Sequence, residues 1–258
     1  MNVKVKVSPN GLLCFQKIYL YYKGVIELIQ NRKVIILLLL AFMTIVQSLN
    51  ASAVEEDGRA WINLQANGST SIDKLRWYVE VQPRLREELK ERDQFFFRPA
   101  MYYAIASKTS VWLGYVYART YTSSPVIESE HRYWQQLLHE FEPINGVRVR
   151  SMTRFEQRNF EGASDTGYKI RQRLTLNFPI ENYPNLSTLL FDEYHLNLNE
   201  TDYGARSGFD QNRLFAGMAW KASNQTLVEF GYLNQYVNRR NEDAMNHVLA
   251  ATVYFSFN

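Results

Sequence analysis

The sequence predicts an all-β protein: an antiparallel up-and-down transmembrane β-barrel of 10–12 strands that follows an N-terminal signal segment. Three observations predict this fold. Apolar and polar residues alternate with a period of two along most of the chain, polar turn segments separate the alternating runs, and no run has the period of an amphipathic helix. Strands of 8–14 residues with two different faces suit a single wall that separates lipid from a wet interior.

The N-terminal segment has the features of a secretory signal. Arg32 and Lys33 precede a hydrophobic region at 34–49, and "ASA" at 51–53 provides the small residues of a cleavage site. The apolar run is shorter than the ~20 residues of a membrane-spanning helix. These features favour secretion with cleavage after Ala53, and the alternative is an uncleaved inner-membrane anchor.

The predicted domains are therefore a leader at 1–53 and an outer-membrane barrel at 54–258. Residues 1–30 form an extension ahead of the signal, either a long n-region or the product of a start site placed too far upstream. Cys14 is the only cysteine, so the barrel domain has no disulfide and no cysteine-ligated metal.

The charge balance argues against a nucleic-acid partner. The leader contains six of the 29 basic residues and one of the 26 acidic residues, so residues 54–258 carry a small net negative charge. Binding driven by phosphate neutralisation needs a basic surface. No histidine spacing typical of a zinc site occurs either, and we expect no metal and no cofactor.

The clearest alternation is in "YKIRQRLTLNFPI" at 168–180, where Lys169, Arg171 and Arg173 oppose Ile170 and Leu174. Similar runs predict eleven strands in all. The predicted strands are 60–67, 74–85, 94–106, 110–121, 131–142, 147–158, 168–180, 188–199, 211–221, 226–236 and 247–258.

Bacterial single-chain barrels have an even number of strands. We therefore expect either ten strands, with 60–67 in the lumen or the periplasm, or twelve, with one strand unrecognised. Pro99 lies within a predicted strand, which a closed ladder tolerates only at a bulge or an end.

The segments between the strands alternate in length, which predicts periplasmic turns at one end and external loops at the other. Short breaks such as 107–109 and 222–225 take turns with longer ones such as 86–93 and 200–210. The chain ends in "VYFSFN", which is close to the aromatic C-terminal strand that barrel-insertion machinery reads. Outer-membrane lipid, lipopolysaccharide and that machinery are the expected partners.

The alternative fold is a soluble periplasmic β-domain, either a sandwich or a lipocalin-like barrel with its apolar face inward. The polar faces of the predicted strands carry Arg and Glu at regular spacing but few Lys, unlike the surface of a soluble protein. Aromatic residues recur near the ends of the predicted strands, as interfacial girdles require. Both features favour the membrane barrel.

Several segments in the same order resemble a family of unknown function whose members are predicted outer-membrane β-barrels of Gram-negative bacteria. The resemblance covers nearly all of 60–258 and implies a barrel in the outer membrane, but no activity. The segments that carry it are "LRWYVEVQPRL", "HRYWQQLLHEF", "RLTLNFP", "FDQNRLFAGMAWK", "GYLNQY" and "NHVLAATVYFSF".

Charged residues on the inferred inner face predict a lumen charge network, in which Arg213 and Glu229 could pair. An Arg/Glu-lined lumen indicates either a salt-bridged, largely closed interior or, where arginine is in excess, an anion-attracting pore. The residues are Arg76, Glu80, Arg84, Arg98, Arg148, Arg150, Arg154, Glu156, Arg158, Arg171, Arg173, Glu193, Arg213 and Glu229.

The functional hypothesis is a non-enzymatic, porin-like envelope protein or narrow channel. The alternative is a lipid- or lipopolysaccharide-modifying barrel enzyme, since Glu193 and His195 lie two residues apart on one strand face. Such an enzyme needs a serine on a neighbouring strand, and the sequence does not indicate one. We therefore expect no enzymatic activity and favour a polar lumen pair for these two residues.

Overall fold

The computed structural model describes residues 55–121, 127–240 and 242–257. The predicted leader and signal segment lie outside these residues. In the described ranges no helix is long and apolar enough to cross a membrane. The strands are β1 Glu55–Ser69, β2 Leu75–Arg86, β3 Glu91–Ala106, β4 Thr109–Tyr121, β5 Ile127–Glu140, β6 Arg148–Phe160, β7 Thr166–Ile180, β8 Tyr183–Asn197, β9 Gly208–Lys221, β10 Thr226–Val237 and β11 Ala244–Phe257.

The eleven strands form one closed barrel in which each strand pairs with its neighbours in sequence, and the predicted all-β barrel is confirmed. The expected even strand number was wrong. The segment 60–67 lies neither in the lumen nor in the periplasm, because it belongs to β1, a full wall strand. In an up-and-down barrel an odd number of strands makes the first and last run in the same direction. The closing pair β1–β11 is accordingly parallel, from Glu55 opposite Ala244 to Gly68 opposite Phe257.

The pairing register sets the dimensions of the barrel. The shear of the barrel, which is the residue offset on β1 after the pairing is followed once around, is about 14 residues. With strands ~4.8 Å apart, this shear corresponds to a strand tilt of ~40° and a backbone radius of ~11 Å. At this tilt the wall is ~30 Å high. An interior of this width can be filled by long side chains.

Two prolines in the wall explain local gaps in the ladder, since proline has no N–H to donate. Pro99 pairs with Val79 on β2, but the β3–β4 pairing stops at Phe97 and resumes at Ala100 without a shift of register. Pro83 has the same effect on the β1–β2 pairing, which skips from Trp61 to Leu64. The wall therefore stays closed around both prolines.

The two faces of the wall differ as the alternation predicts. The lumen holds charged side chains between two buried apolar clusters, one around Trp61 and Phe215 and the other around Phe96 and Trp134. The outer face is largely apolar, although Asp192 on that face accepts a hydrogen bond from Asn212 at 2.6 Å. Large exposed side chains of the outer face include Ile62, Leu64, Phe97, Met101, Leu113, Leu137, Phe230, Leu249 and Phe255.

We call the end at which β11 stops the C-terminal mouth, and the end at which β1 begins the N-terminal mouth. The turns after β3, β7 and β9 are short and lie at the C-terminal mouth, and the ten-residue connection 198–207 lies at the other. The predicted long loop at 86–93 was wrong, because β2 and β3 extend to Arg86 and Glu91. Its four-residue turn is possible because Glu87, Glu88 and Leu89 adopt positive φ angles.

Candidate functional site: the charged lumen

Glu193 is the centre of the lumen network. Its side chain is 0% exposed and its carboxylate accepts hydrogen bonds from Arg171 at 2.7 Å and from Arg173 at 3.1 Å. Arg213 Nη1 lies 3.6 Å away and His195 Nε2 lies 3.2 Å away. The strands β7, β8 and β9 are neighbours whose lumen-facing residues are opposed, which brings these groups together.

Arg171 links this centre to a second buried carboxylate. Its Nη1 donates to Glu156 at 2.8 Å, and Glu156 is 1% exposed. Two further arginines approach Glu156 less closely, Arg154 at 3.8 Å and Arg132 at 4.0 Å. One carboxylate thus serves three guanidinium groups, just as Glu193 does.

Two other carboxylates hold arginines in better-balanced groups. Glu80 pairs with Arg98 and accepts the hydroxyl hydrogen bond of Tyr78 at 2.5 Å. On β5, Glu130 binds Arg132 through two hydrogen bonds of 2.7 and 2.6 Å. Arg158 of the neighbouring strand binds the same carboxylate at 2.5 and 3.1 Å. Bidentate contacts of this kind fix the arginine geometry as well as its charge.

Arg84 has no carboxylate partner among the described residues, although it is buried. It donates to the amide oxygens of Gln82 and Gln94, both at 2.9 Å. Its guanidinium carbon lies 3.8 Å from the ring centroid of Trp61 and 4.4 Å from that of Phe96. Ring faces and amides stabilise a cation without neutralising it.

Arg154 also binds an amide and a ring face, and in addition lies 3.8 Å from Glu156. It donates to the Gln136 amide oxygen at 2.9 and 2.6 Å and lies 4.1 Å from the Trp134 ring centroid. The Trp134 ring packs directly over Gly114, where an added Cβ would overlap it. The sequence therefore makes room for the ring that supports Arg154.

Three predicted network members lie away from this centre. Arg76 is at the C-terminal mouth and donates to Ser69 at 3.3 Å, and Arg148 is exposed and donates to Asn177 at 2.8 Å. Arg150 lies deeper, and the described residues give it neither an ion pair nor a hydrogen bond through its side chain.

The suggested pair of Arg213 and Glu229 was wrong. Arg213 lies opposite Glu193 on one side and Gln235 on the other, whereas Glu229 lies opposite Ala219, about six residues along the strand. Glu229 instead accepts a hydrogen bond from Tyr254 at 2.9 Å.

The structure adds lumen residues that the predicted network omitted. Glu130 and Arg132 share the period of Trp134 and Gln136 along β5. Glu130 was omitted because the strand was predicted to begin at 131, whereas Arg132 lies within the predicted strand and its period could have identified it. Lys169 on β7 forms an ion pair with Asp210 on β9 at 2.6 Å. The sequence of neither strand predicts this ion pair, because it depends on how the two strands are placed in the barrel.

Three cavities formed by the described residues lie in series along the lumen. The middle cavity has a volume of about 300 Å³, the cavity at the C-terminal mouth about 740 Å³ and the cavity at the N-terminal mouth about 260 Å³. Side chains that line both the middle and the N-terminal cavity separate the two: Trp61, Arg84, Arg98, Arg171 and Arg213.

The Glu193–His195 pair is enclosed in the lumen. Within the described residues, the His195 ring contacts only Glu193 and Gln211 through polar atoms, the latter at 3.3 Å. Neither partner is a serine or threonine. Glu193 and His195 are each at most 2% exposed. The described residues also contain no cluster of His, Cys, Asp and Glu that could hold a metal ion.

Comparisons with known proteins agree with the resemblance inferred from the sequence. The family described as "Protein of unknown function (DUF2490)" matches residues 58–246, which include β2 to β10 in full. An uncharacterised protein of Methylorubrum extorquens is 30% identical over 224 residues, which are 86% of this chain and 97% of that protein. No solved structure matches the chain. The chain, which forms a closed eleven-stranded β-barrel, therefore belongs to the DUF2490 family of proteins of unknown function.

Proposed function

We propose that this protein is an integral β-barrel of the Gram-negative outer membrane, non-enzymatic and with a lumen largely closed by arginine and glutamate side chains. The observation that carries the proposal is the apolar outer face of a closed wall. Leu249 is 65% exposed and Leu113 is 63% exposed, each on the outer face of its strand. Exposed apolar belts of this extent mark surfaces that meet lipid or a partner.

The position of aromatic residues supports the same placement. Trp77 and Phe257 stack near the C-terminal mouth, with ring centroids 6.0 Å apart. Phe155 and Tyr168 stack 5.9 Å apart nearer the N-terminal mouth. Aromatic girdles at both lipid–water interfaces are typical of outer-membrane barrels. Lipid, lipopolysaccharide and the insertion machinery that binds a C-terminal aromatic strand are the proposed partners.

A charge on the outer face tests the membrane placement. In a bilayer, Leu249→Arg destabilises the barrel by about 2–4 kcal/mol, because an arginine near mid-membrane is costly. In a soluble barrel the same exposed site is nearly neutral, within about 0.5 kcal/mol. The measurement is urea unfolding of protein refolded into phospholipid vesicles. Ile72→Arg is the matched control, since Ile72 is 59% exposed in the turn between β1 and β2 and is wet in either case.

Outer-membrane fractionation and heat-modifiable gel migration test the placement independently. A closed hydrogen-bonded wall resists SDS without heating, so the unheated protein migrates differently from the boiled one. Recovery in the soluble periplasmic fraction, with a Leu249→Arg variant as stable as the parent, contradicts the proposal.

The charge network is the reason to propose a largely closed lumen. Arg171 connects Glu156 and Glu193 from the middle of the wall, and the neighbouring arginines fill the cross-section between the middle and N-terminal cavities. We expect little or no conductance in planar bilayers. Well-resolved steps that persist over many insertions would establish the open, anion-attracting pore instead.

The hydrolase alternative is tested with His195→Ala. The pair that it requires is enclosed in the lumen and lacks a hydroxyl nucleophile among its described contacts. We expect the purified barrel to release no fatty acid from phospholipid or lipopolysaccharide above background, with or without the substitution. Release that disappears in His195→Ala would overturn the non-enzymatic assignment.

A further inference from the structure

We propose that the middle cavity binds a small oxyanion of phosphate or carboxylate type, which enters from the C-terminal mouth and is held by Arg150, Arg173 and Arg213. The site is a property of the lumen alone and does not depend on where the barrel resides. Its ligand is distinct from the lipid that contacts the outer face.

The first observation is a charge imbalance. Seven arginines line the middle cavity, whereas the carboxylates that line it or bind its arginines are Glu80, Glu156, Glu193 and Glu229. The excess is three positive charges. Uncompensated charge among buried side chains is unfavourable, and a bound anion offsets it. The lining arginines are Arg84, Arg98, Arg150, Arg154, Arg171, Arg173 and Arg213.

The second observation is a set of hydrogen-bond donors without acceptors. Within the described residues, the buried Nε atoms of Arg84, Arg173 and Arg213 and the indole N–H of Trp61 have no hydrogen-bond partner. All four side chains line the middle cavity. Buried donors are rarely left without an acceptor, so these four N–H groups can donate to a ligand that occupies the cavity.

Arg213 is the least firmly held of the buried arginines. Its distance of 3.6 Å from Glu193 exceeds a normal hydrogen bond, and its contact with Gln211 is 3.4 Å. Arg173 has one short contact with Glu193 and lies over the Phe191 ring, 4.3 Å from the centroid. Both therefore retain the capacity to bind a further acceptor, and guanidinium groups bind phosphate and carboxylate through paired N–H donors.

Arg150 provides the entry side of the site. It lines both the middle cavity and the cavity at the C-terminal mouth, together with Asn67, Thr175, Glu229 and Tyr254. Arg150 interacts electrostatically with Glu229, but among the described residues its side chain forms no direct ion pair or hydrogen bond, so its N–H groups can still donate to an incoming anion. The two adjoining cavities, of about 300 and 740 Å³, give a small solute room to reach it.

The test is isothermal titration of the whole barrel, refolded in a non-ionic maltoside detergent, with inorganic phosphate and with acetate. Sodium chloride of matched ionic strength is the reference arm, because general screening acts equally in all three. We expect saturable binding of at least one oxyanion, weakened at least tenfold in Arg213→Gln. The arm that binds identifies the ligand chemistry.

Arg150→Gln and Arg76→Gln complete the design. Arg150 is half-buried without an ion pair, so Arg150→Gln folds even where the deeper variant does not, and it should weaken binding several-fold. Arg76→Gln removes the same charge from a residue that lines none of the three cavities and should bind as the parent does. Equal heats for phosphate, acetate and chloride, or binding unchanged in Arg150→Gln, overturn the proposal.

Discussion

Removing the carboxylate of Glu193 perturbs three arginines of the lumen at once. The variant Glu193→Gln keeps the shape of the side chain but removes the charge that faces Arg171 at 2.7 Å, Arg173 at 3.1 Å and Arg213 at 3.6 Å. Of these three guanidinium groups, only that of Arg171 then keeps a contacting carboxylate, Glu156.

The expected magnitude follows from that geometry. Breaking a buried ion pair by removing one partner costs about 3–5 kcal/mol, because the remaining charge is left uncompensated. With a urea slope of about 2–3 kcal/mol per molar, the unfolding midpoint of Glu193→Gln should fall by roughly 1–2.5 M. The assay is urea titration in vesicles, with the folded fraction read from heat-modifiable migration.

The control is Glu181→Gln, in the exposed turn between β7 and β8. It removes the same charge and should change stability by less than about 0.5 kcal/mol. A midpoint for Glu193→Gln within that margin of the parent, or an equal loss in Glu181→Gln, would refute the reasoning. Oxyanion that occupies the middle cavity should restore part of the loss, since Glu193→Gln increases the excess of positive charge.

Further predictions concern the wall and its mouths. Gly114→Ala should lower the free energy of unfolding by about 1–3 kcal/mol in the same urea assay, because the added Cβ overlaps the Trp134 ring. Asp192→Leu should raise the stability of the barrel both in vesicles and in detergent micelles, because in each the outer face meets hydrocarbon and a carboxylate there is unfavourable. Phe257→Ala should slow assembly in cells, seen as less heat-modifiable protein, while refolding in detergent is unchanged. Asp243 has a lowered pKa because it accepts hydrogen bonds from the Tyr236 hydroxyl and the Arg239 backbone. Its stabilising contribution is therefore present above the ordinary pKa of aspartate and lost as the pH falls through the lowered one, and Asp243→Asn should flatten that part of the urea midpoint–pH curve.

The sequence reveals the wall well, because alternation is a local property. Each of the eleven predicted strands overlaps one strand of the barrel, and the inward residues Arg171 and Arg173 could be assigned from period two alone. The strand ends were predicted too short where the apolar belt stops before the hydrogen-bonded ladder does. At β5 that error hid Glu130, which holds two arginines.

The partners within the lumen could not be predicted, because they depend on the stagger between strands. Arg213 and Glu229 share a face and neighbouring strands, which made them a reasonable pair. The register places Glu229 near the C-terminal mouth and Arg213 beside Glu193, with β9 and β10 paired from Gln211 to Lys221. The sequence of either strand alone does not determine this register, because the register depends on the turn between the strands and on the closure of the whole barrel.

The odd strand number and the charged lumen are connected through β1. The parallel seam places Trp61 opposite Ala250 and keeps directly opposed residues on the same face, so the lumen is continuous across it. The Trp61 ring lies 3.8 Å from Arg84 and 4.9 Å from Arg213, measured from ring centroid to guanidinium carbon. A ten-stranded barrel without β1 would remove the aromatic face that both cations share. β1 is therefore part of the structure that holds uncompensated arginines in the lumen. Because β1 brings the number of strands to eleven, the parallel seam is the consequence of including it.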